Sequence, residues 1–283
     1  MTARIIGLFL AAMVVMATPV RASETHGQDP GGTTRPVQEG WRVTVGAGAI
    51  HAPSYEGDDD YRLSVLPNIQ LAYGERFFAS VQGGVGYRVI HQPSWRAGPI
   101  LKVQFAREED GDQPLAVTGE DSTDLLGLGD VDASAELGGF LEYDIGALTL
   151  GLEARQAVSG HEGFVADLSA RWSGRTQMLG RNVIWAAGPR VRFVDDSYNT
   201  AYFGVTTAQA LASGLGAYQA TGGLHSYGVS TNLIMPLTSD GRWAAVLIGS
   251  YDRLEGDAAA SPLVQQRGDA SQAGIGLFVS RQF

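Results

Sequence analysis

From Trp41 to the last residue, apolar and polar positions alternate with a period of two. Trp41, Val43, Val45 and Ala47 share one face of the first segment, and Arg42, Thr44, Gly46 and Gly48 share the other. In the second, Leu63, Val65, Pro67, Ile69, Leu71 and Tyr73 alternate with Arg62, Ser64, Leu66, Asn68 and Gln70. The pattern recurs with Phe77, Ala79, Val85 and Val89 against Arg88, with Leu101 and Val103 against Lys102, and with Leu148, Leu150 and Leu152 against Glu153 and Arg155. It continues with Leu168 and Trp172 against Asp167 and Arg171, and with Val191 and Phe193 against Arg190 and Arg192. Successive side chains of a strand point to opposite faces, so this period reads as β structure. About 12 strands are expected, with 10 or 14 as alternatives. They fall near 41–49, 62–73, 77–89, 98–107, 133–144, 147–157, 163–173, 183–194, 198–206, 222–237, 242–253 and 272–283, the ninth being the weakest.

Many segments have the length a tilted strand needs to cross a bilayer, roughly 9–11 residues. Trp41, Tyr73, Phe77, Tyr87, Trp172 and Tyr251 sit near segment ends, where an interfacial aromatic girdle would fall. The polar face is too charged for a sandwich core, and the expected fold is an all-β transmembrane antiparallel barrel. In the last segment Ala273, Ile275, Leu277, Val279, Arg281 and Phe283 share a face. A terminal aromatic behind alternating apolar residues resembles the signal that outer-membrane barrels present to their assembly machinery, and Phe283 would carry it. Arg281 stands where an apolar residue is usual. With an even count both chain ends lie on the periplasmic side. Residues 74–76 and 239–241 become short periplasmic turns, and 50–61, 207–221 and 254–271 become outer loops. The long acidic segment 108–132 then falls on the periplasmic side, where it fits poorly: either it folds into the lumen or the count is off beside it.

The remaining sequence agrees with export. Arg4 and the apolar run Ile5–Ala17 resemble the charged and hydrophobic parts of a signal peptide, and Val20-Arg21-Ala22 gives a cleavage site between Ala22 and Ser23. Residues 1–22 hold two Arg and no acid, so their loss takes the formal charge from −10 to −12. Residues 23–40 have no periodicity and read as a flexible periplasmic leader before a single barrel domain, 41–283. The acidic balance argues against nucleic acid as a partner. The absence of Cys excludes disulfides and thiolate sites.

Several ordered blocks carry a family resemblance. They are Trp41…Gly46-Ala47-Gly48…Pro53-x-Tyr55-x-Gly57…Tyr61; Leu126-Gly127-Leu128-Gly129-Asp130-Val131-Asp132 followed by Glu136, Gly139 and Tyr143; Tyr202-Phe203-Gly204-Val205…Gln209…Ser213-Gly214-Leu215…Tyr218; and Arg253-Leu254-x-Gly256-Asp257…Ser261-Pro262. On these the chain resembles the MipA/OmpV family, the MltA-interacting proteins, from Trp41 to Phe283. The resemblance implies a Gram-negative outer-membrane barrel contacting lipid and lipopolysaccharide. It also implies a scaffold joining a lytic transglycosylase to a peptidoglycan synthase, other members being described as porin-like or as surface antigens. It brings no catalytic residues and no cofactor.

Candidate chemistry is sparse, and no enzyme is expected. Glu56-Gly57-Asp58-Asp59-Asp60 has a carboxylate density that suits Ca²⁺ but lacks EF-hand spacing, and a solvated acidic loop is the preferred reading. Gly127–Asp132 lacks the Lys of a phosphate loop and reads as a tight turn with Asp side chains on backbone N–H groups. Ser159, His161 and Glu162 adjoin, but a triad is a matter of geometry, and Gly160 and Gly163 make this a turn. His26, His51, His91 and His225 show no metal-ligand spacing. The inward charges Arg62, Arg88, Lys102, Glu136, Glu153, Arg155, Asp167, Arg171, Arg190 and Arg192, with Glu142, would line an aqueous channel or pair across a closed lumen; a closed lumen is preferred.

Overall fold

A computed structural model of the chain describes residues 40–111, 115–118 and 122–283. The expected signal peptide, its cleavage site and nearly all of the 23–40 leader lie outside these residues. In chain order the elements are β1 (Trp41–Pro53), β2 (Tyr61–Tyr73), β3 (Phe77–Ser80), β4 (Gly84–Tyr87), β5 (Ile90–His91), β6 (Trp95–Gln104) and β7 (Ala116–Thr118). There follow β8 (Ser134–Ile145), β9 (Leu148–Ala157), β10 (Phe164–Met178), β11 (Arg181–Val194), α1 (Asp196–Phe203), α2 (Thr207–Ser213), β12 (Gly223–Pro236), β13 (Trp243–Leu254), α3 (Gly256–Ala260), α4 (Pro262–Arg267) and β14 (Ser271–Gln282).

All strands share one antiparallel sheet, and β1 pairs with both β2 and β14, so the sheet closes into a barrel. The Phe283 amide adds a last bond to the Val43 carbonyl at 2.9 Å. Twelve strands form the wall, while β5 and β7 are short additions against β6 and β2. The expected count therefore holds, but two of its members change. The expected strand 77–89 is a hairpin of two strands, pairing Phe77 with Tyr87 and Ser80 with Gly84. The expected ninth strand, 198–206, is largely the helix α1, capped by Asp195, whose side chain accepts from the Tyr198 amide. One strand gained and one lost leave the total unchanged.

The gained strand reverses the chain once more before residue 105 and relocates the segment that fitted poorly. The described residues of 105–133 now lie at the same end as 54–60, 158–163, 195–222 and 255–270. Both ends of the barrel strands and the connections 74–76, 88–94, 146–147, 179–180 and 237–242 lie at the other end. The 105–133 connection also repairs the wall. β3 and β4 are too short to cover all of β2, and β7 pairs with β2 at Leu63 and Ser64 above them. That covers a strand edge whose backbone groups would otherwise be unpaired.

The outer face of the wall is a belt of exposed apolar side chains, among them Val45, Val65, Leu101, Leu141, Leu168 and Leu277. A continuous belt of this kind is lipid-facing surface. Trp41, Tyr73 and Phe77 cluster at its short-turn edge, with ring centroids 5.1 and 5.8 Å apart, and Trp95 stacks on Tyr143 beside them. Arg281 joins this girdle: its guanidinium lies 4.6 Å from the Phe283 ring centroid and 5.8 Å from that of Trp243. A cation over aromatic faces at an interface accounts for a basic residue on the lipid side.

Inside, part of the wall is apolar. Ile50, Leu66, Ile248 and Phe278 pack together across β1, β2, β13 and β14. Gly48 and Gly276 make room for them, since a Cβ at either would strike Phe278 or the pair Ile50 and Ile248. The loop end is closed by the helices, which pack through two apolar clusters. One joins Tyr198, Tyr202, Phe203, Ala258 and Val264 to the strand residues Val165 and Val194. The other joins Tyr55, Leu125, Leu128, Val205, Leu215 and Leu263.

Candidate functional site

Below the helical lid, the inward charges meet. Arg155 reaches three carboxylates at once: Glu136 at 2.7 Å, Asp167 at 3.0 Å and Glu153. Lys102 pairs with Glu153 at 2.5 Å, and Arg192 with Asp167 at 2.8 Å. All these side chains are nearly inaccessible. Three bases, Lys102, Arg155 and Arg192, balance three acids, Glu136, Glu153 and Asp167. Buried ions are tolerable only when paired and hydrogen-bonded to this degree.

His161 closes one end of the network. Its Nδ1 accepts from the Gly163 amide at 3.0 Å, which leaves Nε2 to donate to Glu136 at 3.0 Å. Its ring packs against Tyr198 and Tyr202 of α1. Ser159 Oγ accepts from the Ala135 amide, and Glu162 contributes its backbone carbonyl to Gln156, so the three neighbours in sequence form no triad.

The lid is wired to the barrel through a second histidine. Glu56 accepts from Nε2 of His225 at 2.9 Å and from the Tyr198 hydroxyl at 3.1 Å. Nδ1 of His225 faces the Asn199 side-chain oxygen at 3.0 Å, and the Asn199 amide donates to the Thr221 carbonyl. Burial alone would raise Glu56, but His225, Arg192 and the Tyr198 hydroxyl outweigh it and hold the carboxyl at about 2. Burial raises the phenols of Tyr198 and Tyr202, and both act as neutral hydroxyls.

The ten expected lumen residues thus separate. Lys102, Glu136, Glu153, Arg155, Asp167 and Arg192 share the central network. Arg171 lies nearer the short-turn end, 3.7 Å from Glu142, which also binds Arg96 at 2.8 Å; Arg96 holds Asp144 as well. Arg190 pairs with Asp252 across β12. Beside that pair is a cavity of 90 Å³, lined in part by Glu56, Asp167, Ser226 and Gln272, with room for a few waters. Arg62 donates to the Gly111 carbonyl, and Arg88 to the Glu75 carbonyl while its guanidinium covers Phe78.

Sequence reasoning missed Arg96, Asp144, Asp252 and the partnership of Glu56 with His225. The first three continue the inward parity of their strands and were within reach of the alternation. Glu56 and His225 are 169 positions apart, and only the closed barrel joins them.

One loop reading is extended and another corrected. The Gly127 and Gly129 amides both donate to Glu109 Oε2 at 3.0 Å, so a distant carboxylate holds that turn, and Asp130 accepts from the Glu109 amide in return. The acidic loop 56–60 is only partly solvated, for Asp58 is 0 % exposed. Burial and the carboxylates of Asp60, Asp124 and Asp59 push its carboxyl up to about 7, against the opposing pull of the Asp60 amide.

Comparison with known proteins adds the following. The family model described as MltA-interacting protein MipA matches residues 45–283. Among solved structures, the chain is similar to the NanC porin at 10 % identity and a TM-score of 0.38, over 84 % of this chain and 98 % of that one. It is similar to an anion-selective porin from Comamonas acidovorans at 9 % identity and a TM-score of 0.32, over 86 % and 98 % of the two chains. It is also similar to the OmpT outer membrane protein of Vibrio cholerae at 8 % identity and a TM-score of 0.32, over 86 % and 96 %. No curated protein matches.

Proposed function

The chain belongs to the MltA-interacting protein MipA family, and from that premise we propose that this outer-membrane barrel is a non-enzymatic scaffold whose periplasmic end holds a lytic transglycosylase near peptidoglycan synthesis. The observation that carries the reading beyond the family name is the filled lumen. A charge-balanced network lies under a packed helical lid, and such a barrel presents surfaces rather than a path.

The docking surface belongs at the short-turn end. The described residues of 108–132 lie at the opposite end, which favours another surface as the periplasmic contact. In its place stands the β10–β11 hairpin. β9 leaves β10 at Trp172, and β12 leaves β11 at Ile184, so beyond these residues the two strands pair only with each other, with Arg181 tying the base of the turn to the Pro236 carbonyl of β12 at 3.0 Å. Leu179 at its turn is 84 % exposed and Met178 is 46 % exposed. The 23–40 leader is the other candidate.

Co-purification tests the proposal. The detergent-solubilised barrel should enrich a lytic transglycosylase over an unrelated barrel, and Leu179→Asp with Met178→Asp should reduce that enrichment while the fold persists. No enrichment by the unmodified barrel ends the scaffold reading. A second reading, a diffusion channel for small polar solutes, is favoured by the cavity beside Arg190 and Asp252. Stepwise conductance of the purified barrel in planar bilayers would support it, and a folded barrel that stays silent would remove it.

A further inference from the structure

We propose that Asp58, Asp59 and Asp124 form a Ca²⁺ site at the loop end of the barrel, clamping the β1–β2 connection to the β6–β8 connection. One carboxylate oxygen of each residue lies within 4.8 Å of the others. Ca²⁺ binds oxygens at about 2.3–2.6 Å, so ligands on one ion stand at most about 5 Å apart, and the trio lies within the reach of one ion.

The second observation is an oxygen with nothing to do. Asp58 is wholly buried, and its Oδ1 accepts from the Asp60 amide at 3.0 Å. Its Oδ2 is buried and has no hydrogen-bond partner. A buried carboxylate oxygen left unpaired is costly, and native structures avoid it unless something satisfies it. No side-chain cation among the described residues pairs with any of the three carboxylates. The guanidinium of Arg267 is committed to the backbone carbonyls of Asp124 and Ser213, and that of Arg107 to the carbonyl of Tyr202.

The site is also built in advance. Gln272 donates to the Asp58 carbonyl at 3.1 Å and accepts from the Gly57 amide at 3.1 Å, while the Asp269 amide donates to the Gly57 carbonyl at 3.0 Å. These bonds anchor the Asp58 backbone to the start of β14. The Arg267 bond to the Asp124 carbonyl, 2.7 Å, anchors the other side. Asp59 is exposed and gives the ion and its waters a way in.

An all-oxygen set of hard carboxylates, open on one side to water, selects Ca²⁺ over nitrogen- and sulfur-seeking metals. It selects against Mg²⁺, which demands near-ideal octahedral geometry and gives up its waters reluctantly.

The test uses the folded barrel in detergent free of lipopolysaccharide and stripped with EDTA. Terbium luminescence sensitised by Tyr55, whose hydroxyl feels both Asp58 and Asp124, reads the site directly, with Ca²⁺ as competitor. Expected are saturable terbium binding and displacement by Ca²⁺ with a Kd of about 10⁻⁴–10⁻³ M, the range of exposed extracellular sites. Asp59→Asn, an exposed change that spares the fold, should weaken Ca²⁺ at least about tenfold, the loss of one charged ligand. Asp58→Asn should do the same. Calorimetry on the unmodified barrel checks the value without a variant. Absence of saturable binding at about 10 mM Ca²⁺, well above that range, overturns the site. Undiminished binding in both variants overturns it as well, by placing the ion elsewhere. Displacement by Mg²⁺ at equal concentration overturns the assignment to Ca²⁺.

Discussion

At the scale of single residues, two arginines mark opposite treatments of charge. Arg155 lies in the lumen among Glu136, Glu153 and Asp167 and is the hub through which their charges are balanced. Removing one partner of a buried ionic group leaves the others uncompensated, at a cost of about 3–5 kcal/mol. Arg155→Ala is therefore expected to lower the urea midpoint of the folded barrel in vesicles substantially, read by loss of the compact gel form. The double change Arg155→Met with Glu136→Gln should recover part of that loss, since it removes one acid with the base. Arg281 is the contrary case. It faces lipid in the short-turn girdle and holds its charge over Phe283 and Trp243. Such contacts contribute about 0.5–1 kcal/mol at exposed sites. Arg281→Leu should consequently assemble as well as the native chain and shift the urea midpoint little. Removal of Phe283, whose amide closes the seam on Val43, should slow assembly visibly in a pulse-chase of the gel-shifted form.

At the scale of elements, the lid helices depend on short local signals. Asp195 caps α1, and Thr206 with Gln209 forms a capping box on α2. Loss of such a cap costs about 1 kcal/mol. Asp195→Ala is expected to leave barrel assembly unchanged but to speed proteolytic cleavage within 195–222 on reconstituted vesicles. Equal cleavage rates would show that the two apolar clusters alone fix the lid. These signals also explain what could be read from the chain. The wall was legible because alternation survives wherever one face meets lipid and the other does not. The β3–β4 hairpin hid inside that alternation. Its paired residues, Phe77 with Tyr87 and Ala79 with Val85, are all odd-numbered, so the period runs through the turn without a break. Only Gly83-Gly84 betrays it, with Gly84 at φ +75°. In 195–206 an aromatic-rich run resembled a strand, while Asp195 and the i, i+4 pair Tyr198 and Tyr202 spelled a helix start. The polar face of each strand was legible for the same reason as the wall. Its pairings were not, because partners such as Arg190 and Asp252 are set by register around a closed circle rather than by spacing.

At the scale of the molecule, an outer-membrane barrel with this interior has two separate barriers along its axis, and they are separable by experiment. The lid is apolar packing of helices and loops over the mouth. The plug is a set of six charges that cancel, three against three, within the wall below. Replacing residues 196–221 by a short linker removes α1 and α2, with their share of both apolar clusters and the Tyr198 bond to Glu56, and leaves α3, α4 and every salt bridge of the plug in place. That variant should still fold, run at a shifted mass on unboiled gels, and stay silent in planar bilayers. Adding Arg155→Ala to it removes the hub and leaves three acids facing two bases. The lumen then holds one uncompensated negative charge in a partly dehydrated channel, where repulsion and hydration both favour entry of water and cations. Conductance steps with a preference for cations are the expected result. Steps already present in the barrel without α1 and α2 but with its plug intact would instead make those two helices the sole barrier. In that case the balanced charges would serve the stability of the wall alone.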